Sequence, residues 1–245
     1  MARSFNGSSD RITIGTGFTP SEPLTVAAWI YLTSTPTTGA MILCSVTTNG
    51  FNFYPNHSLK LTADHTDTAA LATGIGTVTL NTWQHVAFSY SSGHDWKLYL
   101  NGAVDNSGNN AQSIGGQPYA IGYSAHDNNY YFSGNIADVA VWSAILTDSE
   151  VASLNRGVRP YMVRQKSLSL YYPLDGISSP EPDLSSNAYS GTLSGTALAS
   201  GPPVTLFSPK GLGILPTAIT AASAAYRKTQ SSIGTRIGSR QMGLS

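Results

Sequence analysis

Residues 83–156 read WQHVAFSYSSGHDWKLYLNGAVDNSGNNAQSIGGQPYAIGYSAHDNNYYFSGNIADVAVWSAILTDSEVASLNR, and this stretch decides the fold. In Trp83–Tyr90, Trp83, His85, Ala87 and Ser89 alternate with Gln84, Val86, Phe88 and Tyr90. A period of two with one strongly apolar side predicts a strand. Trp96–Leu100 predicts a second, with Trp96, Leu98 and Leu100 set against Lys97 and Tyr99. Asn101-Gly102 follows at once, a pair that tolerates the positive φ angles of a tight hairpin turn, so the chain reverses there. Tyr119–Tyr123, Tyr131–Phe132 and Ile136–Trp142 are further strand-like runs. The period then changes. Thr147-Asp148-Ser149-Glu150 fits a capping box, in which the Thr hydroxyl and the Glu three residues on satisfy free amides reciprocally. Val151 and Leu154 follow at helical spacing, so one short helix is expected, ending at Asn155-Arg156-Gly157.

The order of these pieces resembles the laminin G-like or concanavalin A-like jelly-roll family, which includes pentraxins and many lectin-like modules. The matching segments are Trp83–Ala87, Leu98–Gly102, Ile121-Gly122, Phe132–Val139 and Leu146–Val151. Earlier in the chain, Phe5–Ile14 and Leu24–Ile30 match the family's early strands. The resemblance implies an all-β fold: a two-sheet antiparallel jelly-roll sandwich with one short helix. It implies little about activity, because function resides in sites grafted onto folds.

Residues 168–193 break the order. Leu168–Leu174, Asp183–Asn187 and Gly191–Leu193 resemble the family's opening strand and loop, yet they arrive last. Either the domain is circularly permuted, with this segment pairing beside the N-terminal strand, or a second, truncated repeat begins. The space that remains is short of another sandwich of roughly 100 residues, which favours permutation. The expected organisation is a jelly roll over 1–207 and a C-terminal arm over 208–245.

Composition agrees with one large sandwich. A chain of 245 residues can bury roughly 70–75% of its unfolded surface without staples. The single Cys44 forms no intramolecular disulfide, and its neighbours Ile42, Leu43 and Val46 predict a buried thiol. Charged residues are 11% of the chain, against a usual ~25%, and Gly, Ser, Thr and Asn replace them. No charged-then-apolar leader opens the sequence and no run approaches ~18 apolar residues, so neither a secretory signal nor a membrane span is expected.

Net charge is zero but unevenly placed. All 13 acidic residues lie at or before Asp183 with eight of the 13 Lys and Arg, leaving −5 there and +5 beyond. A basic tail on an acidic body predicts docking on something acidic. Five charges over residues 184–245, with few aromatics between them, is thin for nucleic acid. In the arm, Ile219, Ala222 and Tyr226 stand at helical spacing, and Ile233-Gly234-Thr235-Arg236 is nearly repeated by Ile237-Gly238-Ser239-Arg240. Ile219, Tyr226, Ile233, Arg236, Ile237 and Arg240 are therefore candidate docking residues toward a protein assembly, a virion shell or neighbouring subunits.

Catalysis is not expected. Glycoside cleavage usually needs two carboxylates about 5–10 Å apart, and the glucanase relatives carry Glu-x-Asp-x-x-Glu on one strand. Here the only glutamates are Glu22, Glu150 and Glu181. Glu181-Pro182-Asp183 begins like that motif but continues into Ser185-Ser186, and Pro182 spoils a central strand. Resemblance to the lectin-like modules implies a possible Ca²⁺ site of Asp183 and Asn187, with Asp10 brought near by permutation; oxygen ligands of this kind suit a hard cation. For a sugar, the loop His126-Asp127-Asn128-Asn129-Tyr130-Tyr131 combines polar partners for hydroxyls with aromatic faces for pyranose C–H groups, and His94 and Trp96 offer more of both. Two roles remain open: an assembly protein such as a phage capsid decoration or head-fibre protein, anchored by its arm and displaying a carbohydrate-binding surface, and a soluble Ca²⁺-dependent carbohydrate-binding module found outside cells.

Overall fold

The computed structural model describes residues 1–45, 50–65, 70–114, 119–124, 129–176 and 179–203. The arm over 208–245, with all six candidate docking residues, lies outside the described residues. The strands are β1 (Ala2–Asn6), β2 (Arg11–Ile14), β3 (Leu24–Leu32), β4 (Leu43–Ser45), β5 (Phe51–Pro55), β6 (Leu61–His65), β7 (Ala70–Thr73), β8 (Trp83–Tyr90), β9 (Asp95–Leu100), β10 (Ala103–Asn109), β11 (Tyr119–Ile121), β12 (Ser133–Trp142), β13 (Leu168–Tyr172), β14 (Gly191–Ser194) and β15 (Ala197–Ala199). One sheet runs β10-β9-β8-β3-β12-β1-β15, with β13 also paired to β12; the other runs β14-β2-β11-β4-β5-β6-β7. The two antiparallel sheets form a jelly-roll sandwich.

The alternation in the sequence sets the faces. Val86, Phe88, Tyr90 and Leu98 point into the main core with Val26, Ile30, Phe51 and Phe53. The opposite face of the first sheet is also apolar, because helix α1 (Asp148–Asn155) covers it: Val151 and Leu154 pack with Ala27, Ala87, Tyr99, Ala140 and Trp142. His85 lies on this covered face and is buried. The capping box forms, with the Glu150 amide donating to Thr147 Oγ1 (3.2 Å) and the Thr147 amide to Glu150 Oε2 (2.7 Å). Asn101 and Gly102 take φ angles of 52° and 79°, both positive as the hairpin between β9 and β10 requires.

Two strand expectations need correction. Tyr131–Phe132 precedes β12 rather than forming a strand of its own, and the run from Tyr119 stops at Ile121. Gly122 turns the chain there at φ 87°, and the Phe5 ring occupies the place its Cβ would take, 2.4 Å away.

Residues 168–199 are built into the sandwich. β13 continues the same edge of β12 that β1 occupies: Arg3–Asn6 pair with Ile136–Ser133, and Leu168–Tyr172 pair with Trp142–Val139. A bulge at Asp138 (φ 49°) marks the seam. There Asp138 accepts hydrogen bonds from Arg159 (2.8 and 2.9 Å) and from the Tyr171 hydroxyl (2.6 Å). β14 pairs with β2 and β15 with β1. A buried ion pair, Arg3 Nη2 to Glu181 Oε2 at 3.0 Å, ties the late segment to the first strand.

Candidate functional site

The outer face of the second sheet carries the most promising surface. On β5, Phe51 and Phe53 enter the core, so Asn52 and Tyr54 face outward. Cross-strand register puts Cys44 opposite Asn52 and Asn52 opposite Asp64. The row is joined by hydrogen bonds: the Cys44 thiol donates to Asn52 Oδ1 (2.9 Å), Asn52 Nδ2 donates to Asp64 Oδ1 (2.8 Å), and the Tyr54 hydroxyl donates to Asp64 Oδ2 (2.5 Å). Burial and the Asp64 carboxylate both push the Tyr54 phenol well above its usual range, so Tyr54 remains a proton donor. The buried Cys44 is thereby a link in this row.

Tyr130 reaches the same place. His126, Asp127 and Asn128 lie outside the described residues. Asn129 closes the loop by pairing with Ser124 through backbone hydrogen bonds of 2.9 and 3.3 Å. Tyr130 adopts φ 56° and its carbonyl accepts from the Met41 amide (3.1 Å). Tyr131 stacks on Tyr123 with centroids 5.7 Å apart, and the Arg11 guanidinium lies 5.4 Å from the centre of the Tyr123 ring.

Tyr130 lines two clefts. One, of about 200 Å³, is bounded by Gly7, Ser34, Thr35, Pro36, Thr37, Gly39, Ala40, Asn129, Tyr131 and Ser133. The other, of about 310 Å³, is bounded by Thr38, Gly39, Met41, Asn52, Tyr54 and Asp64. Gly39 borders both, and a Cβ there would lie 2.6 Å from the Tyr54 ring. Only glycine lets the 34–40 segment lie against that ring.

His94 and Trp96 do not join this surface. They sit at the β8–β9 hairpin of the first sheet, and neither lines either of the clefts that Tyr130 borders. Trp96 borders a separate, more open cleft of about 650 Å³ with Ser89, Asp95, Lys97, Ser107, Gly108, Asn109 and Ile145. Its indole lies across Gly108, 2.7 Å from where a Cβ would stand. His94 packs edge-on against Tyr90 and stands 3.5 Å from Glu22.

The three candidate metal ligands are committed to local structure. Asp183 Oδ1 accepts from the Tyr171 and Ser185 amides (2.9 and 2.8 Å), and Oδ2 accepts from the Ser185 hydroxyl and the Tyr189 amide (2.8 and 3.0 Å). That fills the roughly four acceptor positions of a carboxylate. Asn187 donates to the Ser169 carbonyl (2.9 Å), and Asp10 accepts from the Asn6 amide (3.0 Å). Among the described residues no three His, Cys, Asp or Glu side chains are grouped together. At Asp183 an ion would have to displace hydrogen bonds that shape the loop.

The glutamates are similarly engaged. Glu181 is fully buried against Arg3, Glu150 caps α1 and meets Arg164 (2.7 Å), and Glu22 accepts from the Ile114 amide (2.6 Å). Asp64 is the one carboxylate among the described residues lining the two Tyr130 clefts.

Comparison with known proteins follows this geometry. A laminin G-like family model, that of the concanavalin A-like lectin/glucanases superfamily, matches residues 6–152. No curated protein sequence is detectably similar to the chain. Among solved structures, a putative carbohydrate binding protein from Bacteroides ovatus superposes with a TM-score of 0.65 at 20% identity, taking in 84% of this chain and 62% of that one. The chain thus spans less than two thirds of that protein's length. Domain 4 of a GH43 extracellular arabinanase from Geobacillus stearothermophilus, solved with arabinotriose, superposes with a TM-score of 0.51 at 20% identity, over 63% of this chain and 76% of that domain. At such identities these likenesses speak for the fold.

Proposed function

This chain belongs to the concanavalin A-like lectin/glucanases superfamily, and on that premise we propose that it is a non-enzymatic carbohydrate-binding module. The observation that carries the reading is the placement of Tyr130. One ring borders two adjoining clefts, supplemented by Tyr54 and Asp64 on one side and by Tyr131 and several hydroxyls on the other. Aromatic faces beside a few fixed polar groups are what sugar recognition needs. Two structural neighbours, a putative carbohydrate binding protein and an arabinanase domain solved with arabinotriose, support it. The engagement of all three glutamates in structure supports binding without hydrolysis. Glycan-array binding by the full chain, lost on Tyr130→Ala, is the expected result; an array without a single reproducible hit refutes the reading.

A second element is attachment. The five Lys and Arg beyond Asp183, with no acid among them, favour a C-terminal arm that fixes the module to a larger assembly, such as a virion as a decoration or head-fibre protein. Ile233→Asp with Ile237→Asp then releases the protein from its particle, whereas Arg236→Ala with Arg240→Ala weakens it mainly at low salt. Retention of the isoleucine double variant at full occupancy refutes attachment through the arm.

A further inference from the structure

We propose that the cleft of about 650 Å³ on the outer face of the first sheet is a second sugar-binding site, which takes the hydroxyl groups of a neutral glycan. The inference rests on the carbohydrate-binding reading and adds to it a site that acts independently of Tyr130.

Strand register builds the cleft. β8, β9 and β10 are neighbours in the first sheet. Cross-strand pairing sets Lys97 between Ser89 and Ser107, and Asp95 opposite Asn109. These residues are in phase with Ala87 and Tyr99, which pack beneath α1, and out of phase with Phe88 and Leu98, which enter the main core. They therefore belong to the face that α1 covers. The helix has only eight residues, a length of about 12 Å. It begins at Asp148, whose carboxylate accepts from Lys97 Nζ (2.8 Å) and from the Tyr99 hydroxyl (2.9 Å). Past that point the face is open, and the composition changes with the cover: Ala87 and Tyr99 are buried, whereas Asp95, Ser107 and Asn109 are exposed. Ile145, just before the helix, borders the resulting ledge. Its volume falls within the roughly 300–1,000 Å³ of small-ligand sites.

The polar groups are fixed but not used up. Asn109 Nδ2 donates to Asp95 Oδ1 (3.0 Å) and to the Gly93 carbonyl (2.9 Å), and the Asp95 amide donates to Ser91 Oγ (3.0 Å). These bonds tie the β8–β9 hairpin to β10, so the Asp95 carboxylate is positioned before a ligand arrives. Asp95 Oδ2 and Asn109 Oδ1 take no part in them. Lys97 Nζ gives Asp148 one of its three donors. Sugar hydroxyls both donate and accept, and a carboxylate, an amide carbonyl, a serine hydroxyl and an ammonium answer both senses. Ile145 supplies an apolar border for C–H groups. Lys97 is the one cation among the described residues lining the cleft, and Asp148 already pairs with it. That favours a neutral ligand over an anionic one.

The ledge and the cleft of Tyr54 and Asp64 lie on outward faces of different sheets, with the core between them. A short glycan bound at one does not reach the other. The second site therefore adds valency, and a chain holding glycan at both faces links separate glycan strands.

The test is titration calorimetry on the full chain with arabinotriose, mannotriose, cellotriose and trigalacturonate. At least one neutral trisaccharide is expected to bind at two sites per chain. Ser107→Trp, at an exposed strand position, fills the ledge and removes one site, and Tyr130→Ala removes the other. Asp95→Ala, also at an exposed position, weakens the ledge site at least tenfold and leaves the Tyr130 site unchanged; should Ser107→Trp fail to fold, it carries the test alone. Trigalacturonate is expected to bind the ledge at least tenfold more weakly than the neutral trisaccharide, and equal or tighter binding there overturns the assignment to neutral sugars. Binding that Tyr130→Ala abolishes and both ledge variants leave intact overturns this inference and spares the carbohydrate-binding reading. Binding that the ledge variants abolish and Tyr130→Ala leaves intact upholds the ledge and overturns the Tyr130 site. Failure of every glycan to bind overturns the broader reading and this one with it.

Discussion

Replacing Arg3 by Met tests how the late segment is joined to the sandwich. Arg3 sits in β1 between Ile136 of β12 and Leu198 of β15. Its Nε and Nη2 converge on Glu181 Oε2 at 3.1 and 3.0 Å, and the two side chains are 6% and 0% exposed. The Glu181 backbone exchanges two hydrogen bonds of 2.8 Å with Gly191, the first residue of β14. Met fills much of the volume of Arg but leaves the carboxylate buried without its cation. Stranding one member of a buried pair costs about 3–5 kcal/mol, a large part of a stability of 5–15 kcal/mol. Burial already pushes the Glu181 carboxyl above its usual range and Arg3 only partly offsets this; in Arg3→Met it rises further. A raised folded-state pKa means a contribution to stability that is present below the unfolded value of ~4.3 and is lost as pH rises through the folded value. The gap between wild type and variant therefore narrows as pH falls from 7 toward 4. Removing both charges in Arg3→Met/Glu181→Leu recovers most of the loss at pH 7. Urea denaturation followed by circular dichroism, from pH 4 to 8, measures each quantity. A single variant within about 1 kcal/mol of wild type at pH 7, or a gap independent of pH, refutes the reasoning.

Three further outcomes are expected. Burial lowers His85 to about 3, so its contribution to stability is present above the unfolded value of ~6.5 and falls away below it, by about 3 kcal/mol at pH 4; in urea titrations His85→Gln should lack that component, and identical pH profiles would count against a buried neutral imidazole. Thr147→Ala removes the α1 cap and should cost about 1 kcal/mol in chemical denaturation, with a change below the measurement error arguing that the helix is held by Val151 and Leu154 alone. Calorimetry with Ca²⁺ should show no binding tighter than micromolar, and Asp183→Ala should destabilise by about 2 kcal/mol through its lost amide partners; tight calcium binding abolished by that substitution would reinstate the metal site.

Local patterns determined much of the fold. Strand β8, the turn at Asn101-Gly102 and the capping box at Thr147 each follow from residues within ten positions of one another, because alternation, positive φ and helix capping are short-range requirements. Family resemblance extended this to the whole sandwich through the order of such pieces. The candidate surface was only partly legible. Asn129 and Tyr130 stood out in a polar, aromatic loop, but Tyr54, Asn52 and Asp64 did not. Their signal was the alternation of Phe51-Asn52-Phe53-Tyr54, which tells that Asn52 and Tyr54 face away from the core but not what lies beside them. His94 and Trp96 have the right chemistry and reside at the β8–β9 hairpin of the other sheet. Asp183 resembles a family ligand position in sequence, and only the structure shows that its oxygens meet four protein donors. Sequence alone determined which residues alternate, turn and cap. Only the tertiary structure decided which outward-facing side chains share a cleft, because strand pairing and the bond from the Met41 amide to the Tyr130 carbonyl bring together residues such as Asp64 and Tyr130 that no local rule connects.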